Sequence, residues 1–259
     1  MNGSIKIDAA FIPREVCKSH NPICILIDAV RASCTIATFF DKGAQEIVLI
    51  EEEGAYIQAH PEALSPSCCI CAEKLDGSRA DLAEVSPSLH ELHQHDSFTG
   101  RKVLFRTTNG SIGVRALSTQ GLEKILIGSM LNCDAVAKAA VDMALENGMN
   151  ICTVCAGREH GQIYCIDDTY CAGALIQSIK KYADSIGCAV DLQDSAKIAH
   201  SLVENYASAE AAYQSSASGE IMRRLHMEQD LALCARENVT KVVPYVSHID
   251  KEGNVTIAM

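Results

Sequence analysis

The chain has 259 residues, 48% of them apolar and 21% charged, enough to bury a substantial core and too well patterned for intrinsic disorder. Its 33 acidic side chains against 22 basic ones leave a formal charge of -11, which disfavours duplex nucleic acid or an anionic membrane as partner. A small anion held by a few arginines and a cation stays compatible. Thirteen cysteines, an acidic Asp8 near the start and no apolar run of about 18–20 residues predict a reduced cytoplasmic protein without a membrane span.

In chain order, Ile5 to Ala9 reads as a short strand and Ile23 to Ile27 as a buried one, followed by a helix over Ala32 to Phe40 that Gly43 can end. Strand character returns at Ile47 to Ile50, a helix is predicted over 51–63, and a strand near Cys69 to Cys71. Residues 73–100 lack periodicity and form a loop-rich excursion. Val103 to Phe105 resumes the sheet, Ile112 to Leu117 is helical, Ile125 to Ile127 is a strand, and Asn132 can cap a helix reaching Asn147 and ended by Gly148.

Ile151 to Cys155 is the next strand, with Asp168 or Thr169 as cap of a long helix through Tyr182. Residues 191–236 are helical with breaks near Asn205, Ser215 to Ser218 and His226; Val242 to Val246 and Val255 to Ile257 close the chain as strands around a turn at 250–253. Strands alternating with helices predict a three-layer α/β/α fold with a mostly parallel or mixed central sheet.

Three apolar strands each end in a polar cluster: Asp28 and Arg31 after the second, Thr107, Thr108, Asn109 and Gly110 after Val103 to Phe105, and Gly157 and Arg158 after Ile151 to Cys155. Ligands of open α/β sheets bind beyond the carboxyl ends of strands, so these clusters predict one site for a metal ion and a phosphoryl group. Asp28 and Arg31 read either as a structural ion pair or as a magnesium ligand and a phosphate-binding fork. The Thr-Thr-Asn-Gly run reads either as an ordinary turn and cap or as an anion site at a helix start.

Asp167 is expected to face the site as a second oxygen ligand, with Asp168 as cap or support; hard carboxylates favour magnesium over zinc. Cys155 lies too close to Arg158 for a cysteine-phosphatase loop and reads as a small supporting residue. Cys152 and Cys155 share a strand and point to opposite faces, against a zinc site. Cys68, Cys69 and Cys71 lack a second half, and His90, Glu91 and His93 miss the spacing of a metalloprotease helix by one position.

With these residues in view, the chain resembles the 2-phosphosulfolactate phosphatase family, known as the ComB family. The matching pieces are IDAVRAS at 27–33, EKLDG at 73–77, Ser86-Pro87, TTNG at 107–110, CAG at 155–157, DDT at 167–169, CAG at 171–173, Asp194 and Ser218-Gly219. The resemblance implies a single ComB-like domain over 1–259, with room for two lobes, and magnesium-dependent hydrolysis of 2-phospho-3-sulfolactate to 3-sulfolactate and phosphate, a reaction of coenzyme M synthesis. Asp28 and Arg31 take the family's Asp-x-x-Arg pair and Thr107 to Gly110 its Thr-Thr-Asn-Gly segment; joined with the reading of the other residues, this puts Asp28, Arg31, Asn109 and Arg158 in catalysis, Thr107, Thr108, Gly110, Gly157 and Lys74 at the substrate, Asp28 and Asp167 on Mg2+, and Glu73, Cys155 and Asp168 in their support.

Lys74 replaces the family's usual Arg, Glu84 and Val85 replace Gly-Asn before Ser-Pro, and Asp167 replaces the commoner Glu. These departures leave two alternatives: a phosphatase for another small anionic phosphoester, or a noncatalytic protein that binds such a metabolite. The attacking group is a water molecule or Asp28 itself. A homodimer is the default expectation for an intracellular enzyme of this size.

Overall fold

The computed structural model describes residues 4–74, 78–107 and 110–259. Its strands are β1 (Ile5–Ala10), β2 (Pro22–Ile27), β3 (Glu46–Ile50), β4 (Cys68–Ala72), β5 (Lys102–Arg106), β6 (Ile125–Ile127), β7 (Asn150–Cys155), β8 (Val190–Leu192), β9 (Tyr245–Ile249) and β10 (Val255–Ala258). Its helices are α1 (Ala32–Asp41), α2 (Glu53–Ala59), α3 (Leu89–His93), α4 (Gly110–Ser118), α5 (Cys133–Asn147), α6 (Ile166–Ser185), α7 (Asp194–Glu204), α8 (Ala209–Ser215), α9 (Ala217–Arg224) and α10 (Glu228–Cys234).

The strands form one sheet in the order β4-β5-β3-β10-β9-β6-β2-β7-β1-β8. Two parallel blocks, β4-β5-β3 and β6-β2-β7-β1-β8, are joined by the antiparallel β9-β10 hairpin. Because β3, β10, β9 and β6 alternate in direction, the two blocks run opposite ways. The chain's closing strands thus sit in the middle of the sheet, not at its edge.

Alternation along β2 builds both faces. Ile23, Ile25 and Ile27 pack with Val136, Ala140, Leu175 and Ile179 of α5 and α6, whereas Cys24 and Leu26 join Phe39, Val114, Leu117 and Ile257. Helices therefore cover both sides and the α/β/α class holds. Cys155 lies in the first of these cores and Cys152 in the second, the opposed facing that excludes a shared metal. Among the described residues no helix is long and apolar enough to cross a membrane.

Several local expectations need correction. The helix predicted over 51–63 stops at Ala59 and gives way to a 3-10 turn at Pro61–Leu64, because proline disfavours helix in the residue before it. Asn132 does not cap α5 with its side chain: its Nδ2 donates to the carbonyls of Ile127 and Val242, and its Oδ1 accepts from Ser129. Cys165, not Asp168 or Thr169, occupies the cap position of α6. The strand predicted at 242–246 forms three residues later, as β9, because Pro244 cannot donate to a ladder. The excursion over 73–100 carries the short α3, and β8 precedes the helical stretch.

Opposed blocks would put the ends of β2 and β5 on opposite edges of a flat sheet. The right-handed twist of sheets, about 20–25° per strand, acting over the β6-β9-β10-β3 strands between them, is the physical means by which those ends can meet. A methyl group built on Gly110, just beyond β5, would lie 3.5 Å from Asp28 Oδ2 beyond β2.

Candidate functional site

The site starts where β2 runs out. After six buried residues of β2, the chain reaches Asp28, whose backbone N–H donates to Ser33 Oγ (2.9 Å) and whose Oδ1 accepts from Ala32 N (3.4 Å). The carboxylate is thereby aimed by the first turn of α1, and it lines a cavity of 580 Å³ together with Thr107, Arg158 and Lys74. The sequence-predicted clusters after β2, β5 and β7 do converge.

Arg31 does not pair with Asp28. Its Nη1 donates to Asp230 Oδ2 at 2.8 Å and its Nη2 to Glu73 Oε2 at 2.9 Å, with Met227 Sδ 3.3 Å from Nη1. The guanidinium is 5% exposed yet still lines the cavity, so it is a fixed cation at the pocket floor. Asp230 is fully buried and also accepts from Ser88 Oγ (3.0 Å) and His90 N (2.9 Å).

The β7 loop is clipped to the β2 loop by Asp168. One of its oxygens accepts from Ala29 N at 2.8 Å and the other from Gly157 N at 3.0 Å. Gly157 is required there, since it holds φ +69° and a Cβ would lie 2.8 Å from the Ile163 carbonyl. Arg158 follows, its backbone paired with Ile163 in both directions and its residue on the cavity wall.

Thr107 is buried, and its Oγ1 accepts from Gly110 N at 3.3 Å, capping the start of α4. Thr108 and Asn109, expected in substrate binding and catalysis, lie outside the described residues. Lys74 lines the cavity and its Nζ is 2.6 Å from Asp81 Oδ1. Cys155 sits fully buried, and burial first, then the Asp168 charge, pushes its thiol well above the usual range, which disfavours a thiolate there.

Two contributors escaped the sequence reading. Asp230 occupies a helix position that shares the buried face of Leu231 and Cys234, and a carboxylate on an apolar helical face was the available signal. The second is the rest of α9: Ser218 stood among the matching family pieces, but Ile221, Met222 and Arg224, which also line the cavity, did not. Their spacing at 218, 221 and 222 was helical, but nothing local said which face met a site.

Acidic groups crowd the floor. Burial pushes the Asp28 carboxyl up to about 7, with the charges of Asp167 and Glu73 acting the same way and the Ala32 N–H and Arg31 opposing them. Burial also raises Asp167, against the favourable hydroxyls of Ser218 and Ser216, and raises Asp168 well above the ordinary carboxylate range, aided by Asp167 and Asp28. Asp167 is 2% exposed and its Oδ1 has no hydrogen-bond partner. An orphaned buried carboxylate oxygen beside a second carboxylate fits a hard divalent cation.

Among the described residues no group of three or more His, Cys, Asp or Glu side chains is placed to hold a metal ion. His93 Nδ1 is 2.6 Å from the Leu89 carbonyl.

Comparison with known proteins identifies the family. A family model described as 2-phosphosulpholactate phosphatase matches residues 10–248. A probable 2-phosphosulfolactate phosphatase of Symbiobacterium thermophilum is 30% identical over 91% of this chain and 94% of its own length. Proteins of the same description from Clostridium beijerinckii and Deinococcus radiodurans are each 26% identical, covering 97% and 87% of this chain and 99% and 88% of their own lengths.

Proposed function

Since this chain belongs to the 2-phosphosulfolactate phosphatase family and is a phosphoric monoester hydrolase, we propose that it hydrolyses 2-phospho-3-sulfolactate to 3-sulfolactate and phosphate with the aid of magnesium. The observation that carries the magnesium part is the buried Asp167, whose Oδ1 has no hydrogen-bond partner and whose charge helps raise the cavity-lining Asp28. These two residues would hold the ion, which when bound neutralises charge on the phosphoryl oxygens.

The chain's own groups do the remainder. Arg31, held in place by Glu73 and Asp230, lines the cavity and offers its remaining N–H groups to the phosphoryl group at little cost of reorganisation. Arg158 supplies a second cation from the β7 loop, and Asp168 keeps that loop in register with Asp28. Water is the attacking group in this reading, because Asp28 is turned toward the α1 backbone by Ala32 N. Thr108 and Asn109 keep the roles that the family motif implies for them.

Phosphate release from 2-phospho-3-sulfolactate, followed after chelation and after magnesium is restored, tests the reading. Activity lost on chelation and regained with magnesium supports it; release that survives metal removal ends the magnesium assignment. Binding without release would favour the noncatalytic alternative, and faster release from another small phosphoester would change the substrate. A burst of product on rapid mixing would favour Asp28 as nucleophile over water. All cysteines are free thiols, in keeping with the cytoplasmic location we assign.

A further inference from the structure

The cavity is divided by charge. Its floor carries Asp28, Glu73 and the carboxylate-locked Arg31, while Arg158, His160 and Arg224 stand on its walls. In this acidic chain Arg31, Arg79, Arg101, Arg106 and Arg115 each pair with a carboxylate. Arg14, Arg158, Arg223, Arg224 and Arg236 have no carboxylate within ion-pairing distance among the described residues, and of these Arg158 and Arg224 line the cavity.

Helix α9 sets the spacing between floor and wall. Ser218 lies beside Asp167, and Arg224 is six residues further along the same helix, about 9 Å at 1.5 Å per residue. Ile221 and Met222 line the cavity between them, and Leu225 lines it just beyond Arg224. Across the β7 loop, Glu159 and His160 hold φ of 49° and 60°, a left-handed conformation that costs a non-glycine residue and is found at ligand clamps.

The geometry points to a second oxyanion subsite in which Arg224, with Arg158, receives the sulfonate of the substrate. This rests on the reading that the phosphoryl group occupies the floor. Arg224 is then a specificity-determining residue: a ligand with two anionic ends a few bonds apart spans floor and wall, and inorganic phosphate reaches only one. The residue also sits at the C-terminal end of α9, where a cation merely stabilises the helix, so the test must separate the two roles.

Titration calorimetry with 3-sulfolactate and with lactate does so, on wild type, Arg224→Met and Arg224→Lys, with melting curves verifying that each is folded. Wild type is expected to prefer 3-sulfolactate at least about tenfold, Arg224→Met to erase that preference, and Arg224→Lys to restore part of it. An unchanged preference in folded Arg224→Met, or none in wild type, overturns the subsite. If wild type shows the Arg224-dependent preference yet releases no phosphate from 2-phospho-3-sulfolactate, the catalytic reading falls and the subsite stands.

Discussion

Arg31 and Asp230 are 199 positions apart and meet at 2.8 Å beneath the pocket. The carboxylate that fixes the arginine comes from the late helical region, which the strand-loop pattern did not implicate. Removing one member of a buried pair leaves an uncompensated charge, typically a loss of about 3–5 kcal/mol. Asp230→Ala should lose stability on that scale in urea titrations, and Asp230→Asn should lose less while lowering kcat/KM. A stable Asp230→Ala variant with full activity would detach Arg31 from this support.

Asp168 satisfies the N–H groups of Ala29 and Gly157 at once. Truncation to Ala orphans both, at about 1–3 kcal/mol for each buried donor. We expect a lower melting temperature, together with faster amide exchange at Ala29 and Gly157. Exchange that stays protected at both would show that another group holds the loops.

Asp28 is raised from 3.8 to about 7, first by burial and then by neighbouring carboxylates. A carboxyl with a native pKa above its unfolded value favours folding while protonated. Its contribution is fully present below about pH 4 and is lost as pH rises through about 7. Asp28→Asn, which stays neutral, should therefore melt higher than wild type at pH 8 and similarly near pH 4. Magnesium should raise the wild-type Tm at pH 8 and do little for the variant; equal magnesium shifts in both would remove Asp28 from the metal site.

Gly157 combines a positive φ with a Cβ position 2.8 Å from a backbone carbonyl. Gly157→Ala should cost at least about 1 kcal/mol from the strained backbone alone, and it should reduce activity by displacing Arg158. Unaltered melting and turnover would mean that the loop has slack.

Cys155 is buried with a thiol pushed far from ionisation. Cys155→Ala should keep kcat within a few-fold and lose modest stability from the small cavity. Loss of turnover by several orders of magnitude in a folded variant would revive covalent chemistry at sulfur.

Periodicity and end signals were enough to read β2, β7, α1 and the helical breaks near Asn205 and His226, because those features depend on neighbours in the chain. Asp28, Thr107 and Arg158 were likewise legible as loop residues beyond strands. Asp168 was harder: its position before a long helix suggested a cap, whereas its carboxylate serves the loops of two other strands.

By itself, then, the order of residues determined the layers, the strand-end loops and the acidic and basic groups they carry, since alternation and capping act over a few residues. Tertiary structure alone decided that the final hairpin lies mid-sheet, that the ends of opposed blocks meet, and that Asp230 and Arg224 reach the pocket. Those outcomes come from twist summed over many strands and from burial shared by distant segments, quantities that no short window of sequence contains.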